Sequence, residues 1–563
     1  MKQVTMFIPP AYDWSMPTMA FPLLKAFLPS SITSKIVDLN RLFMSSVFQN
    51  YQKDKSAFSV ALNSNNMSEA IHCAVNLERT IFCEPISEFE TVRTNRIKLN
   101  YLWEKSEDME VLLTSGSATE DRIRILLDGI PFLTDNLAFC ISISVEDQIF
   151  PSFVLMKILK ERYKAPIILG GNIVTRQFML LKKSRLKHLY DYLIYGEGEQ
   201  ILPQLLLAIE SKNNVTFQDN VFCTESFVEQ QLISSDIVPL DAIKIADFKD
   251  IELVDYLCPI PILPISLNRK CLWGRCDFCA IHCTWGNKHR EKNIEDIITE
   301  VVSYINEYGV THFRIIDEDV PPRILYEFAN AILEKGITIF YEAYVRFDKG
   351  FIADGVIEKL YLSGCRQLFW GIENINSEAL ILMRKGTIQQ NIKSILKLSA
   401  SAGILNFGFI LTGIPNISLE SEEETINFIL SNEYLHTVAI GTFVIDRLSP
   451  IHIDENTRKK YNVTIFEIGD LTTEVGYSYH GIIGNTGAKK RTKQYIKRLY
   501  KERPDLAVCS LLAEEIRFIL ACKFGNNFAK QFIAHCDDDN IKKICDEAIE
   551  RAINERVIRG GFE

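Results

Sequence analysis

The sequence predicts an α/β chain in three parts: an N-terminal open parallel sheet, a central partial (β/α)6 barrel and a mostly helical C-terminal cap. Three observations predict it. Apolar strand-like runs alternate with stretches of helical period across residues 1–215 and again across 256–445, the pattern of parallel sheets. In the second stretch Gly309, Gly336 and Gly364 each end a helical run, as glycines do one position past a helix. From residue 446 to 563 the alternation gives way to longer helical stretches.

In the first part, Val4–Ile8 reads as a strand, Pro22–Leu28 as a helix and Ile36–Asp38 as a second strand. Between about 41 and 133 the pattern breaks into amphipathic pieces around Val75 and Ile123–Leu127, which predict a helical insertion. The sheet resumes with Leu137–Ser144, a helix over Phe153–Tyr163, the run Pro166–Gly171, and Tyr190–Tyr195 leading into Gly196, Glu197, Gly198 and Glu199 before a helix over Ile201–Glu210. Open parallel sheets bind ligands at the carboxyl ends of their strands, and glycine lets a backbone approach closely there. Ser142 and Ser144, Gly170 and Gly171, and Gly196 to Glu199 occupy those ends. Residues 216–255 read as a linker, with polar turns and little periodicity.

The central part opens with the apolar run Pro261–Leu267. Asn293 is a helix N-cap candidate, followed by Ile294, Ile297, Ile298, Val301, Val302 and Ile305 at helical spacing. The unit then repeats: strand Thr311–Ile316 and helix Arg323–Lys335, strand Ile337–Arg346 and helix Val356–Ser363, strand Gln367–Gly371 and helix Glu378–Arg384, strand Leu405–Leu411, and Val438–Phe443 as the sixth strand. Barrel chemistry sits at the carboxyl ends of the strands. There the sequence places Asp317 and Asp319, Arg346, and Glu373 with Asn374. In the cap, helices are expected over Lys489–Lys501, Leu506–Phe518 and Ile541–Val557. Cys509, Cys522, Cys536 and Cys545 lie there without a close pair and read as buried thiols.

A formal charge of −10 and a pI near 5.6 leave no basic footprint, so no nucleic-acid partner is favoured. Fourteen cysteines in 563 residues are too dilute for a disulfide scaffold and suit a reducing compartment. The N-terminal run Val4–Ile8 is stopped by Pro9 and Pro10, unlike the apolar region of a signal peptide. No apolar run reaches the roughly 18 residues of a membrane span. The expected location is cytoplasmic.

Chemistry concentrates in the segment Leu267–Ala280, where Cys271, Cys276 and Cys279 fall within nine residues. Thiolates are soft ligands that select zinc, copper(I) or iron–sulfur clusters. Cys283, His282 and His289 are nearby. A structural zinc site usually draws on two cysteine pairs, and only one is present here. A zinc knuckle or unligated buried thiols remain the alternatives. The segment resembles the cluster loop of radical S-adenosylmethionine (SAM) enzymes, with C-x4-C-x2-C where that superfamily usually has C-x3-C-x2-C. The stretches Gly364–Ser377, Phe409–Pro415 and Ser421–Thr425 resemble its cobalamin-binding branch. The three strand ends of the first part look like the Rossmann-type cobalamin-binding domain attached to many such enzymes, without an Asp-x-His-x-x-Gly motif.

The resemblance implies a [4Fe–4S] cluster on Cys271, Cys276 and Cys279, with one iron left to chelate SAM and Cys283 a packed thiol outside the ligand set. It implies SAM contacts from Phe278, Asp317, Arg346, Glu373 and Asn374. Cobalamin contacts would come from Ser142, Ser144, Gly170, Gly171, Gly196, Glu197, Gly198 and Glu199. The implied activity is C-methylation of an unactivated carbon in a peptide or small-molecule natural product, with an electron donor such as flavodoxin or ferredoxin. Alternatives are a radical SAM rearrangement or cyclisation without methyl transfer, and a non-catalytic iron–sulfur or zinc protein that binds a partner.

Overall fold

The computed structural model describes residues 2–211, 221–223, 239–281, 288–484 and 486–555. Its N-terminal sheet has six strands in the order Ile32–Asp38, Lys2–Ile8, Asn136–Ser142, Ile167–Gly170, Tyr192–Ile194 and Val221–Cys223. The first five run parallel and the last pairs antiparallel. Helices cover both faces of such a sheet, so its central strands are apolar throughout. In Asn136–Ser142 every residue after Asn136 is buried, as are Val4, Met6, Phe7 and Ile8. Helices Ala20–Phe27, Ile149–Arg162, Asn172–Leu181 and Ile201–Ser211 connect these strands.

The central sheet takes its six strands in chain order: Ile262–Ile265, His312–Ile315, Phe340–Val345, Cys365–Glu373, Leu405–Thr412 and Thr437–Thr442, all parallel. This is the expected partial barrel. Its first helix, Ile294–Tyr308, begins where Asn293 accepts the Glu295 N–H at 2.8 Å and ends at Gly309 in the left-handed conformation. The buried apolar side chains form one continuous core through both sheets and the C-terminal helices.

Four features depart from the sequence-based expectation. The stretch 41–133 holds five helices and also a three-stranded antiparallel sheet, Cys83–Pro85, Glu90–Arg93 and Arg96–Leu99, whose strands are too short to show a period. The helix expected over Glu378–Arg384 runs Ser377–Leu382, and an unexpected second one, Gln389–Ala402, follows it and buries Ile392, Ile395, Leu396 and Ser399. The stretch expected as a helix over Leu506–Phe518 breaks after Ser510 and resumes at Glu514, where the Ala513 N–H donates to Glu78 at 2.6 Å. A small antiparallel sheet over Ile445–Ile483 precedes the C-terminal helices, which run to Glu555. Among the described residues no helix is long and apolar enough to cross a membrane.

Candidate active site

The cysteine segment leaves the first barrel strand and is bracketed by a two-residue antiparallel ribbon, Asn268–Arg269 against Arg290–Glu291. Lys270 and Gly274 take left-handed backbone conformations that fold the chain back on itself. The Cys279 N–H donates to the Cys276 carbonyl at 3.3 Å, closing the turn that sets these two residues side by side. Cys271 donates its thiol to Asp319 Oδ2 at 3.3 Å, and Arg346 Nη1 approaches Cys276 Sγ at 3.6 Å. Burial, followed by the Asp319 charge, pushes the Cys271 thiol up to about 11, and burial pushes Cys279 up to about 12. These thiols become ligands when a metal's positive charge replaces their protons. Among the described residues no three His, Cys, Asp or Glu side chains converge tightly enough to hold a single ion. Cys283 and His282 lie outside the described residues.

The loop is locked from behind. Asp277, 1% exposed, accepts from Lys460 at 2.9 Å and lies 3.5 Å from Arg384, and its N–H donates to the Met383 carbonyl. Trp273 donates its indole N–H to the Arg384 carbonyl at 2.7 Å and carries the Arg346 guanidinium 5.1 Å over its ring. The same ring packs on Gly386, where a Cβ would come within 2.2 Å of it. Only glycine fits that contact, made at φ +73°.

At the end of the fourth strand a register shift between Gly371 and Glu373 re-aims the backbone, and Glu373 sits at φ +58°. Bulges that redirect one side chain recur beside active sites, where such strain is retained. Glu373 is held by Lys385 at 2.7 Å, and Lys385 also lies 5.7 Å over the half-buried ring of Phe278. Asn374 is 1% exposed; its Oδ1 accepts from Asn376, Ser421 and Thr425, while its buried Nδ2 has no partner among the described residues. An orphaned buried amide donor is costly unless a ligand accepts from it.

Asp317 behaves differently from the other SAM candidates. Its carboxylate is taken up by Ser266 Oγ at 2.7 Å, the Leu267 N–H at 2.7 Å and the Asn268 N–H at 3.2 Å, fixing the exit of the first strand. Asp319 is the acid that meets Cys271. Sequence reasoning assigned no site role to Lys385 or Trp273, which the structure sets against Glu373 and Gly386.

All eight residues expected to meet cobalamin line one cavity of about 580 Å³ at the carboxyl edge of the N-terminal sheet, a volume within the range of small-molecule sites. Its opposite wall comes from the barrel, including Ser266, Arg269 and Asp317. A Cβ on Gly170 would meet nothing within 4 Å, whereas Gly171, at φ +105°, lies against the Ile143 backbone at 2.5 Å from that position. Glu197 and Glu199 are committed elsewhere: Arg269 pairs with both, at 2.7 Å from Glu197, and Arg290 pairs with Glu197. These buried pairs tie the ligand edge of the sheet to the ribbon that carries the cysteines. A second cavity of about 660 Å³ lies where the barrel meets the insertion and the C-terminal helices, lined by Phe278, Glu373, Phe407, Phe409 and Phe443 from the one and by residues such as Arg96 and Glu514 from the others. Asp317 and the glycine edge thus line the first cavity and Phe278 and Glu373 the second, while the three cysteines, Asp319, Arg346 and Asn374 line neither.

Residues 265–429 match the model of the radical SAM superfamily. The anaerobic magnesium-protoporphyrin IX monomethyl ester cyclase of Synechocystis sp. is 26% identical over 267 residues, covering 46% of this chain and 52% of that protein. The cytidylyl-2-hydroxyethylphosphonate methyltransferase of Streptomyces wedmorensis is 25% identical over 190 residues, 33% of this chain and 34% of that one. This chain therefore spans about half the length, or less, of these curated relatives. Among solved structures, the radical SAM methyltransferase TsrM from Kitasatospora setae, with cobalamin and a [4Fe-4S] cluster bound, superposes with a TM-score of 0.57 at 13% identity, covering 98% of this chain and all of that one. The cobalamin-dependent SAM radical enzyme OxsB superposes with a TM-score of 0.59 at 12% identity, covering 99% of this chain and 80% of that one. Residues 265–429 are a radical SAM domain, set in a chain that has the fold of cobalamin-dependent radical SAM enzymes.

Proposed function

We propose that this chain is a cobalamin-dependent radical SAM enzyme that methylates an unactivated carbon of a peptide or natural-product substrate. The observation that carries the reading is the joining of two sites. Arg269 and Arg290 tie the glycine-edged cavity to the cysteine loop, and that cavity adjoins the second through shared wall residues. Cys271, Cys276 and Cys279 would hold a [4Fe–4S] cluster, with Asp319 and Arg346 beside their sulfurs. Glu373, Asn374, Arg346 and Phe278 would hold SAM, the orphaned Asn374 Nδ2 supplying a donor. Ser142, Ser144, Gly170 and Gly171 would face the corrinoid. When bound, these groups supply a 5′-deoxyadenosyl radical and a transferable methyl. The second cavity, with its wall of Phe407, Phe409 and Phe443, would position the substrate carbon. An external donor such as flavodoxin or ferredoxin would supply electrons, in the reducing cytoplasm that free thiols suit.

Anaerobic reconstitution tests the reading. About four irons per chain, a corrinoid spectrum after desalting, and reductant-dependent release of 5′-deoxyadenosine from SAM are expected. Tight zinc without visible absorption contradicts it. The likeness to a named cyclase supports a second reading, ring formation or rearrangement without methyl transfer. Product mass separates the two, since only methylation adds a methyl group.

A further inference from the structure

Where the two cavities meet, the walls carry a cluster of acids that neither the cysteine loop nor the glycine edge uses. Asp13, in the loop after the first strand, and Glu514, opening the helix Glu514–Phe524, line both cavities. Behind them stand Glu342 and Glu515, 0% and 1% exposed. Arg314 is the cation set among them, its Nε 2.6 Å from Glu342 and its Nη1 2.6 Å from Glu515 and 3.4 Å from Glu514. Asp13 has no ion-pair partner among the described residues; its Oδ1 accepts the Ser15 N–H at 2.8 Å. Glu515 Oε2, buried at the wall of the first cavity, has no hydrogen-bond donor among the described residues.

Among the described residues Arg314 is the cation that ion-pairs with these carboxylates, while Arg96 and Arg551 line the second cavity, and buried carboxylates are stable as anions only when paired. Burial accordingly holds Asp13 and Glu515 above the usual carboxylate range and pushes Glu342 up to about 7. Glu342 has a structural role, accepting from Arg314 and from Gln367 at 2.6 Å. Glu514 keeps 30% of its side chain exposed and accepts from Tyr344 at 3.2 Å. The chamber's aromatic walls add faces that attract cations and cover apolar groups.

We infer that Asp13 and Glu514, backed by Glu515, bind a positively charged nitrogen of the substrate, an ammonium carried on an apolar or aromatic body that lies along Phe407, Phe409 and Phe443. The inference rests on the second cavity being the substrate chamber of the proposed enzyme. Such an ammonium belongs to a small amine or to a lysine side chain of a peptide, and the acids recognise the same group in either.

Isothermal titration of the full reconstituted chain with 2-phenylethylammonium, 2-phenylethanol and 3-phenylpropanoate tests it, with acetyl-phenylalanyl-lysine amide as the peptide arm. The ammonium is expected to bind about tenfold more tightly than the alcohol, with the carboxylate weakest. In D13N/E514Q that preference disappears while circular dichroism and iron content stay at wild-type values. Preference of the peptide over the free amine assigns the ammonium to a peptide, and the reverse to a small molecule; either supports the inference. Equal binding of ammonium and alcohol, or a preference that survives in D13N/E514Q, overturns it. SAM cleavage is scored on the same preparations, so loss of cleavage with the preference intact counts against the enzyme assignment and leaves the ammonium site standing.

Discussion

Lys385 Nζ lies 2.7 Å from Glu373 Oε1, with side chains only 8% and 10% exposed, so the acid at the end of the fourth barrel strand is fixed by a cation from the loop that also backs the cysteines. Removing one member of a buried pair strands the other's charge. Lys385→Met should destabilise the cluster-free chain by about 3 kcal/mol, and the double variant E373Q/K385M by clearly less. Urea unfolding of the three proteins checks this; equal losses would show that the pair is not coupled.

Ligand binding separates from cluster binding at the same place. Glu373→Gln and Arg346→Gln are each expected to keep wild-type iron content and to weaken SAM binding by about tenfold or more, the scale of a charge-assisted hydrogen bond. Equilibrium dialysis with labelled SAM measures it. Unchanged affinity in both variants would remove these residues from the SAM site.

The glycine edge predicts a cavity-filling effect. A side chain on Gly170 enters open space, so Gly170→Leu should fold with a thermal midpoint near wild type and lose corrinoid uptake. Gly171→Ala, at φ +105° and against the Ile143 backbone, should instead lower the midpoint. Corrinoid retained in Gly170→Leu would mean that this edge does not face the cofactor.

The barrel was legible because each strand is a short apolar run and its helices carry a clear 3.6-residue period with glycine stops, as at Gly309 and Gly364. The cysteine loop and the strand ends were legible for the same reason: their place in the chain fixes their place on the rim. Hidden were features made by residues distant in sequence. Lys385 meets Glu373 only through the bulge at Gly371, and Asp13 meets Glu514 across 501 positions of chain. The three-stranded sheet at Cys83–Leu99 was missed because strands of three and four residues carry no readable period. Asp317 and Asp319 were indistinguishable by pattern; the structure separates them through hydrogen bonds to the first strand's exit and to Cys271.

That separation carries a pH signature. Burial pushes the Asp317 carboxyl up to about 7 from its ordinary 3.8. Its folded form therefore binds a proton more tightly than its unfolded form, and the resulting stability is full below about pH 4 and lost as pH rises towards 7. Relative to Asp317→Asn, wild type should lose stability between pH 4.5 and 6.5, by at most about 1.4 kcal/mol per pH unit. Chemical unfolding at several pH values reads the difference. A constant difference across that window would show that Asp317 does not titrate there.

The central claim is that three cysteines hold a cluster with one iron free for SAM. Its most direct test is iron and sulfide content together with 5′-deoxyadenosine yield in Cys271→Ala, Cys276→Ala, Cys279→Ala and Cys283→Ala, each reconstituted beside wild type. The account predicts that the first three lose both the absorption near about 400 nm and SAM cleavage, while Cys283→Ala keeps both. Retained cleavage in any of the first three, or loss of the cluster in Cys283→Ala, would contradict it.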